Sequence, residues 1–532
     1  MTKSHNFAGW LVAMLIAAFY CWLNFPKDFI TGTGPFWLTQ NEDVTQYIAG
    51  FWAYLNSDWQ FPLLAIPSLD WPNGTIVTFV DGIPVVAMLA KLIHTTVGLN
   101  EHVFGYWVLA CVLLQATATW YVMRIICPRN WPLLIIAVSF TTGMAAFWAR
   151  IGHLSLMAHF IVIFALGFYF NDKKSGKIHL TMWIVLLTLT FFINFYIFVM
   201  AFGIYTASVL DSGGRRGALK YALPLLIIAV LFPVLMGMPF SKVKPDTGFG
   251  IYAMNLLSPF YGGSVVRVLN QFYTPEVHTQ GFAYEGFNYL GFGLMAVVVI
   301  ALFIARNELK LSWLLALMLG FTFYSLSNRI YAGPVEVLTY PVPHVLQSIT
   351  ETFRSSGRFF WPVAYLLVFA SCIGLSRLSE STKWALAAIL VAVQFYDVYP
   401  HYVYAREYMS RKAVVILDKD EWRPRLSGVK TLYHYPKFKC GDDGHHVTLP
   451  VEFVAVSAGV NLSTGFISRY GPQCDAERAE IAGSDVATSA YTFDSKKYSL
   501  EQIRSWLPAD VPCEQASERI IFCRLPGANA PQ

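Results

Sequence analysis

Apolar side chains run on along this chain for lengths that a half-buried helix or strand in water has no use for. Runs near 8–25, 103–123, 131–148, 156–170, 221–237, 287–305, 311–327, 359–376 and 384–400 each approach the ~20 residues that carry a helix across a bilayer. The stretch 179–210 is too long for one crossing and divides near Asn194. The pattern predicts a polytopic α-helical membrane protein with about eleven transmembrane helices. The first run has no small-residue cleavage site at its end, since Cys21, Trp22, Leu23 and Asn24 follow it, so it is expected to stay as an anchor. A further run, 83–99, is short, opens with Pro84 and contains Lys91 and His94. It is predicted to lie in the outer membrane interface rather than to cross.

Charge orients the helices. Lys3 precedes the first run, and basic clusters follow later ones: Arg124 with Arg129, Lys173 with Lys174 and Lys177, Arg215 with Arg216 and Lys220, Arg306 with Lys310, and Arg377 with Lys383. Placed on the cytoplasmic side, they leave 26–102, 149–155, 238–286, 328–358 and the tail outside. Only 13% of residues are charged, about half the usual share, which excludes a soluble enzyme of this length. Of the 38 Lys and Arg and 33 Asp and Glu, 32 lie in the last 132 residues. This predicts a membrane domain over 1–400, with the loop 26–102 included, and a small soluble α/β domain over 401–532. In that domain 414–417, VKTLYHY, HVTLPVEFVAV and RIIFCRL read as strands, and segments near 405–410 and 500–506 as helices. The net charge of +5 is spread over short loops, so no nucleic-acid partner is expected. Cys21, Cys111, Cys127 and Cys372 sit in apolar runs, whereas Cys440, Cys474, Cys513 and Cys523 fall in the tail. An even count outside the membrane favours disulfides, and proximity along the chain pairs Cys440 with Cys474 and Cys513 with Cys523.

Candidate chemistry gathers on the outer segments. Glu42 and Asp43 open an amphipathic stretch; the pair reads either as a general base or cation ligand, or as a solvated helix cap. The turns DWPNGT (70–75) and VDGIP (80–84), with Asp81, follow in a loop long enough to be functional. Arg150 breaks the positive-inside pattern beside His153, and reads either as a phosphate contact or as a snorkelling side chain. Arg354 and Arg358 lie four residues apart in ETFRSSGRFFWP, and would share a face if a helix begins there. Glu285, in YEGFNYLGFG, is placed to orient a basic residue or a sugar hydroxyl, or to pair with an arginine. The run Cys440 to His446 holds possible metal ligands without a second set, and a surface turn is the preferred reading; no metal site is assigned.

The runs NEDVTQYIAGFWAYLNSDWQFPLL, PNGTIVTFVDGIP, RIGHLSL, YEGFNYLG and RSSGRFFWP, in this order over roughly 20–400, resemble an uncharacterised bacterial family of polytopic proteins similar to the GT-C superfamily of integral-membrane glycosyltransferases. The resemblance implies a GT-C-like fold with a long first periplasmic loop, a sugar donor on polyprenyl phosphate, and an essential acid in that loop. Here the acid is Asp43, with the adjacent Glu42 as the second candidate, since many relatives place one residue between their two acids. It further implies that the short outer turn with Arg150, Gly152 and His153 reaches the site; Arg354 and Arg358, two arginines at the outer end of a span against the positive-inside pattern, join Arg150 as expected donor-phosphate contacts, with His153, Asp81 and Glu285 as expected substrate contacts. The expected activity is inverting transfer of a hexosyl or pentosyl unit to a cell-envelope acceptor, such as lipopolysaccharide O-antigen, another glycan, a lipid or a protein. The expected setting is the bacterial inner membrane, with the N-terminus cytoplasmic and the tail periplasmic. No cofactor is assigned, and a divalent metal is left open. Two other classes are carried: a transporter or flippase of lipid-linked glycans, which would need ionisable residues at mid-span, and a non-catalytic envelope-assembly protein.

Overall fold

The computed structural model describes residues 3–98, 102–212, 221–237, 248–269, 284–305, 312–469 and 471–525. Arg215, Arg216, Lys220, Arg306 and Lys310, and the parts 238–247 and 270–283 of the segment 238–286, lie outside these residues. Two compact units interleave along the chain. The first takes Met1–Ile30, Phe104–Ile228 and Pro245–Ser410; the second takes Thr31–Val103, Ala229–Lys244 and Arg411–Gln532.

Among the described residues six helices are long and apolar enough to cross a membrane: Asn6–Asn24, Phe104–Ile126, Trp131–Trp148, Leu154–Ser175, Phe195–Ser212 and Ser356–Leu375. Leu180–Phe191, Leu223–Met236, Phe292–Ile304 and Trp313–Ser325 are shorter apolar helices. The last expected span falls within the 31-residue helix Glu380–Ser410, which is not among the six. The stretch 179–210 does divide, because the Asn194 carboxamide oxygen accepts the amides of Tyr196 (3.0 Å) and Ile197 (3.3 Å) and so starts a new helix. In the first helix Ala13 and Ala17 pack inward while Phe7, Leu11, Leu15, Phe19 and Trp22 face out. An apolar stripe of that length is untenable in water and ordinary in lipid, where small residues mediate helix contact. A multi-pass membrane protein is the consistent reading.

In the second unit, the first loop and the tail fold together. The tail carries a five-stranded sheet in the spatial order Asn461–Leu462, Thr431–Tyr435, Ser489–Asp494, Ile520–Cys523, Cys513–Gln515. The first three strands run parallel and the last two pair antiparallel. Tyr435, Tyr491, Phe493, Ile503 and Cys523 form its core. The loop joins the exposed edge of this sheet: the amides of Asp70 and Trp71 donate to the carbonyls of Thr464 and Leu462 (2.9 Å each), and the Leu462 amide donates to the Ser68 carbonyl (2.8 Å). An edge strand left bare would be a template for wrong pairing.

Two expected strands are absent. Residues 446–456 form a π-turn, Gly444–Thr448, leading into the helix Leu449–Ser457 with Pro450 in its first turn; a continuous apolar run does not by itself distinguish a buried helix from a strand, and proline favours a helix start. Residues 414–417 have no strand partner. Gln40 stands in for one: its backbone amide donates to the Val414 carbonyl (2.9 Å), its side-chain oxygen accepts the amides of Ile416 and Leu417 (2.8 Å each) and its Nε2 donates to the Leu417 carbonyl (2.7 Å). The segment 405–410 is the end of the helix Glu380–Ser410 rather than a separate one. The helix Leu500–Trp506 and both disulfides, Cys440–Cys474 and Cys513–Cys523, form as expected.

The run 83–99 is the helix Pro84–Val97. Its small residues Ala87 and Ala90 are buried, and Leu89, Leu92, Ile93 and Val97 are exposed, the face that an interfacial helix gives to lipid. Lys91 turns inward instead, where its Nζ bonds the Ser57 hydroxyl (3.0 Å) and the Asp58 carbonyl (3.2 Å) and lies 4.1 Å from the Tyr54 ring centroid.

Candidate functional site

The expected site residues fall in two groups, one in each unit. In the first unit three sequence motifs converge on Glu285. Arg358 binds it bidentately, Nε and NH2 each at 2.6 Å; Arg150 NH1 reaches Oε2 at 2.9 Å, and His153 Nε2 lies 3.3 Å from Oε1. Glycine makes the approach possible: a Cβ on Gly357 would stand 2.8 Å from the Glu285 carbonyl and 3.1 Å from the Gly286 Cα. The Gly357 amide donates to the Tyr252 carbonyl (3.1 Å), and Asn288 Nδ2 donates to the Gly357 carbonyl (2.9 Å). Burial alone would push the Glu285 carboxyl up, but the charges of Arg358 and Arg150, with hydrogen bonds from Arg358 and His153, outweigh it and hold the group well below the ordinary carboxylate range.

Arg354 and Arg358 do not share a helix face. The helix His344–Thr352 ends before Arg354, and a 3-10 turn, Ser356–Phe360, carries Arg358. Arg358 turns to Glu285 and stacks 4.5 Å from the Tyr196 centroid, whereas Arg354 lies 5.4 Å from the Tyr252 centroid. Asp397, in the helix Glu380–Ser410, is fully buried and accepts from the Tyr289 hydroxyl (2.6 Å) and from the amides of Phe292 (2.8 Å) and Val268 (2.9 Å). Its oxygens are engaged in holding the fold.

In the second unit the acid pair opens the helix Asp43–Leu55. Glu42 stands at the N-cap position with no side-chain cap bond, and is ion-paired with Arg411. Asp43 Oδ1 accepts from His445 Nε2 at 3.0 Å, and the Asp43 side chain remains 30% exposed. The tail thus holds both acids. His445 is itself placed by its turn: Asp443 accepts from His446 Nδ1 (3.0 Å) and ion-pairs with Arg519, Asp442 accepts from the Thr448 hydroxyl (2.6 Å), and the Cys440–Cys474 bridge closes the segment. The hydrogen bond to Asp43 raises the His445 imidazole above its ordinary value against the effect of burial, aided by the charges of Asp43, Asp443 and Asp442. Asp81 sits in a left-handed conformation (φ 53°) at the end of the turn Val77–Val80. That turn packs closely on the acid-bearing helix, where a Cβ on Gly50 would meet Val80 Cγ2 at 2.3 Å. The Cys440–His446 run, expected as a surface turn, brings His445 to Asp43; its cluster of acids and histidines is the signal the sequence offers. Among the described residues no three His, Cys, Asp or Glu side chains come together as a metal would need.

Two measurements check these assignments. Glu285→Gln takes from Arg150 and Arg358 the buried carboxylate they share, and should cost about 3–5 kcal/mol of stability, read as a lowered thermal midpoint in detergent; an unchanged midpoint would contradict the role. For His445 the folded value is raised, so its pairing contribution is complete below the unfolded imidazole value of about 6.5 and is lost as pH climbs through the folded one. The difference in midpoint between wild type and His445→Gln should therefore shrink from pH ~6 to ~9, whereas a constant difference would count against the ion pair.

One solved structure similar to this chain is the Archaeoglobus fulgidus oligosaccharyltransferase in its apo form, at 13% identity and a TM-score of 0.44, covering 87% of this chain and 65% of that one. The chain therefore spans 65% of that protein's length, and a likeness at this score decides neither fold nor activity. No curated protein matches the chain. Residues 13–399 match the family described as Domain of unknown function (DUF6311), and residues 421–525 match the DUF6311 C-terminal domain. The match covers well over half of the sequence, and the chain belongs to the DUF6311 family.

Proposed function

We propose that this protein is a membrane glycosyltransferase that moves a sugar from a polyprenyl-phosphate donor to a hydroxyl of a cell-envelope acceptor, on the periplasmic face of the inner membrane and with inversion. The observation that carries the reading is the state of Asp43: oriented by His445 through one oxygen, yet 30% exposed. A general base must be both fixed and reachable. Glu42, ion-paired with Arg411, is the poorer candidate, so the base is assigned to Asp43.

In this mechanism Asp43 takes the proton of the acceptor hydroxyl as its oxygen bonds to the anomeric carbon. The bond from that carbon to the lipid phosphate breaks, and the phosphate leaves with the electron pair. A phosphate leaves without protonation, so no general acid is required. The reading also asks for positive charge to hold the phosphate, and Arg150, Arg354 and Arg358 are the side chains proposed for it. His153, Asp81 and Glu285 keep their proposed part in substrate binding, Glu285 by orienting the two arginines.

Asp43→Asn should lower sugar transfer by about 10²–10⁴-fold, with expression preserved and a thermal midpoint no lower than that of His445→Gln, measured as loss of a sugar-sized mass from the envelope glycan. Near-normal transfer in that variant, with the glycan altered only by gene deletion, would replace this reading with the non-catalytic assembly one.

A further inference from the structure

The second unit holds a cavity of about 420 Å³ lined in part by Trp52 and Leu55 of the helix Asp43–Leu55, with neither Asp43 nor His445 in its lining. Its size is in the ~300–1,000 Å³ range of small-molecule sites. Trp37 and Trp52 supply aromatic surface, His94 and His102 supply polar ring atoms, and Lys419 and Arg423 supply charge. Lys419 and Arg423 are one helical turn apart on Lys419–Arg425 and project to the same side. Neither makes an ion pair among the described residues, and none of the described residues that line the cavity is acidic. Two cations face an aromatic-walled cavity whose described lining residues include no carboxylate, an arrangement that suits an anionic ligand.

The walls narrow the choice of anion. Trp37 is almost wholly buried and packs 4.5 Å from the His102 ring centroid. Trp52, on the helix Asp43–Leu55, is partly exposed and backed by Phe453 at 5.6 Å. Indole rings present a flat apolar face with a polar edge, which complements the C–H face of a sugar ring bearing equatorial hydroxyls. Burial pushes the His102 imidazole down to about 4, so at neutral pH it is uncharged and carries one donor and one acceptor nitrogen. A bare inorganic anion would use the cations and leave the aromatic surface wet.

We infer that this cavity binds a saccharide bearing a carboxylate or phosphate, its ring against Trp52 and its anionic group at Lys419 and Arg423. The inference concerns binding alone and does not rest on the transfer reaction, so an inactive Asp43→Asn protein should bind as the wild type does.

The experiment is calorimetric titration of the full chain in nanodiscs of zwitterionic lipid, with trigalacturonate, the neutral maltotriose and inorganic phosphate as probes. Trigalacturonate is expected to bind at least about tenfold more tightly than either other probe, with affinity falling as salt rises. Lys419→Ala combined with Arg423→Ala, both outside the sheet core, should weaken it by about tenfold or more. Equal affinity for maltotriose or for phosphate, or an unchanged affinity in the double variant, would overturn the inference. So would the absence of trigalacturonate binding together with charge-dependent association to vesicles containing phosphatidylglycerol, an outcome that would assign the cations to a lipid headgroup.

Discussion

Three backbone hydrogen bonds between the first loop and the tail, joining Ser68, Asp70 and Trp71 to Leu462 and Thr464, are the constraint on which the second unit depends. Each is worth only about 0.5–1.5 kcal/mol net, so their importance lies in register rather than strength. They make residues nearly four hundred positions apart in sequence into neighbours in one sheet. Gln40 fastens 414–417, and the Gln46 side chain reinforces the same join through the Phe466 carbonyl (2.6 Å). With the loop held there, the start of the helix Asp43–Leu55 meets the turn that carries His445. The acid pair is therefore a product of two distant segments, and the tail is part of the candidate site's construction.

Charge is handled in opposite ways in the two groups of candidate residues. Glu285 is 3% exposed and surrounded by Arg150, Arg358 and His153; its negative charge is used to bring cations together in a buried place, where losing it would leave them uncompensated. Asp43 meets His445 through one oxygen and keeps a partly open side chain. A buried carboxylate with several charge-assisted bonds is a poor proton acceptor. The two acids therefore differ in burial and in the charge placed around them.

Much of this was legible in the chain. Membrane helices announce themselves because lipid offers the backbone no partner, so each crossing needs an unbroken apolar run. The break at Asn194, the inward alanines of the first helix and the two cysteine pairs follow from local rules. The order of motifs located the candidate residues, yet not their meeting. RIGHLSL, YEGFNYLG and RSSGR are separated by long stretches and converge on Glu285 only through packing that glycine at 357 permits. The helical spacing of Arg354 and Arg358 misled because the chain there forms a 3-10 turn. The run 446–456 misled because burial on all sides erases the periodicity that tells a strand from a helix. His445 gave no signal of its own, since its partner lies at the other end of the sequence.

The central claim is that the first loop and the tail are one cooperative unit, locked along Ser68–Trp71 and Leu462–Thr464. Amide hydrogen exchange on the full chain in detergent tests it directly, by comparing peptides covering 68–71 with peptides covering Thr431–Tyr435 and Ser489–Asp494. The account predicts that all three exchange together, at the rate of the sheet's own opening. Rapid exchange at 68–71 while the sheet stays protected would show the loop to be a separate, loosely attached segment and would contradict it.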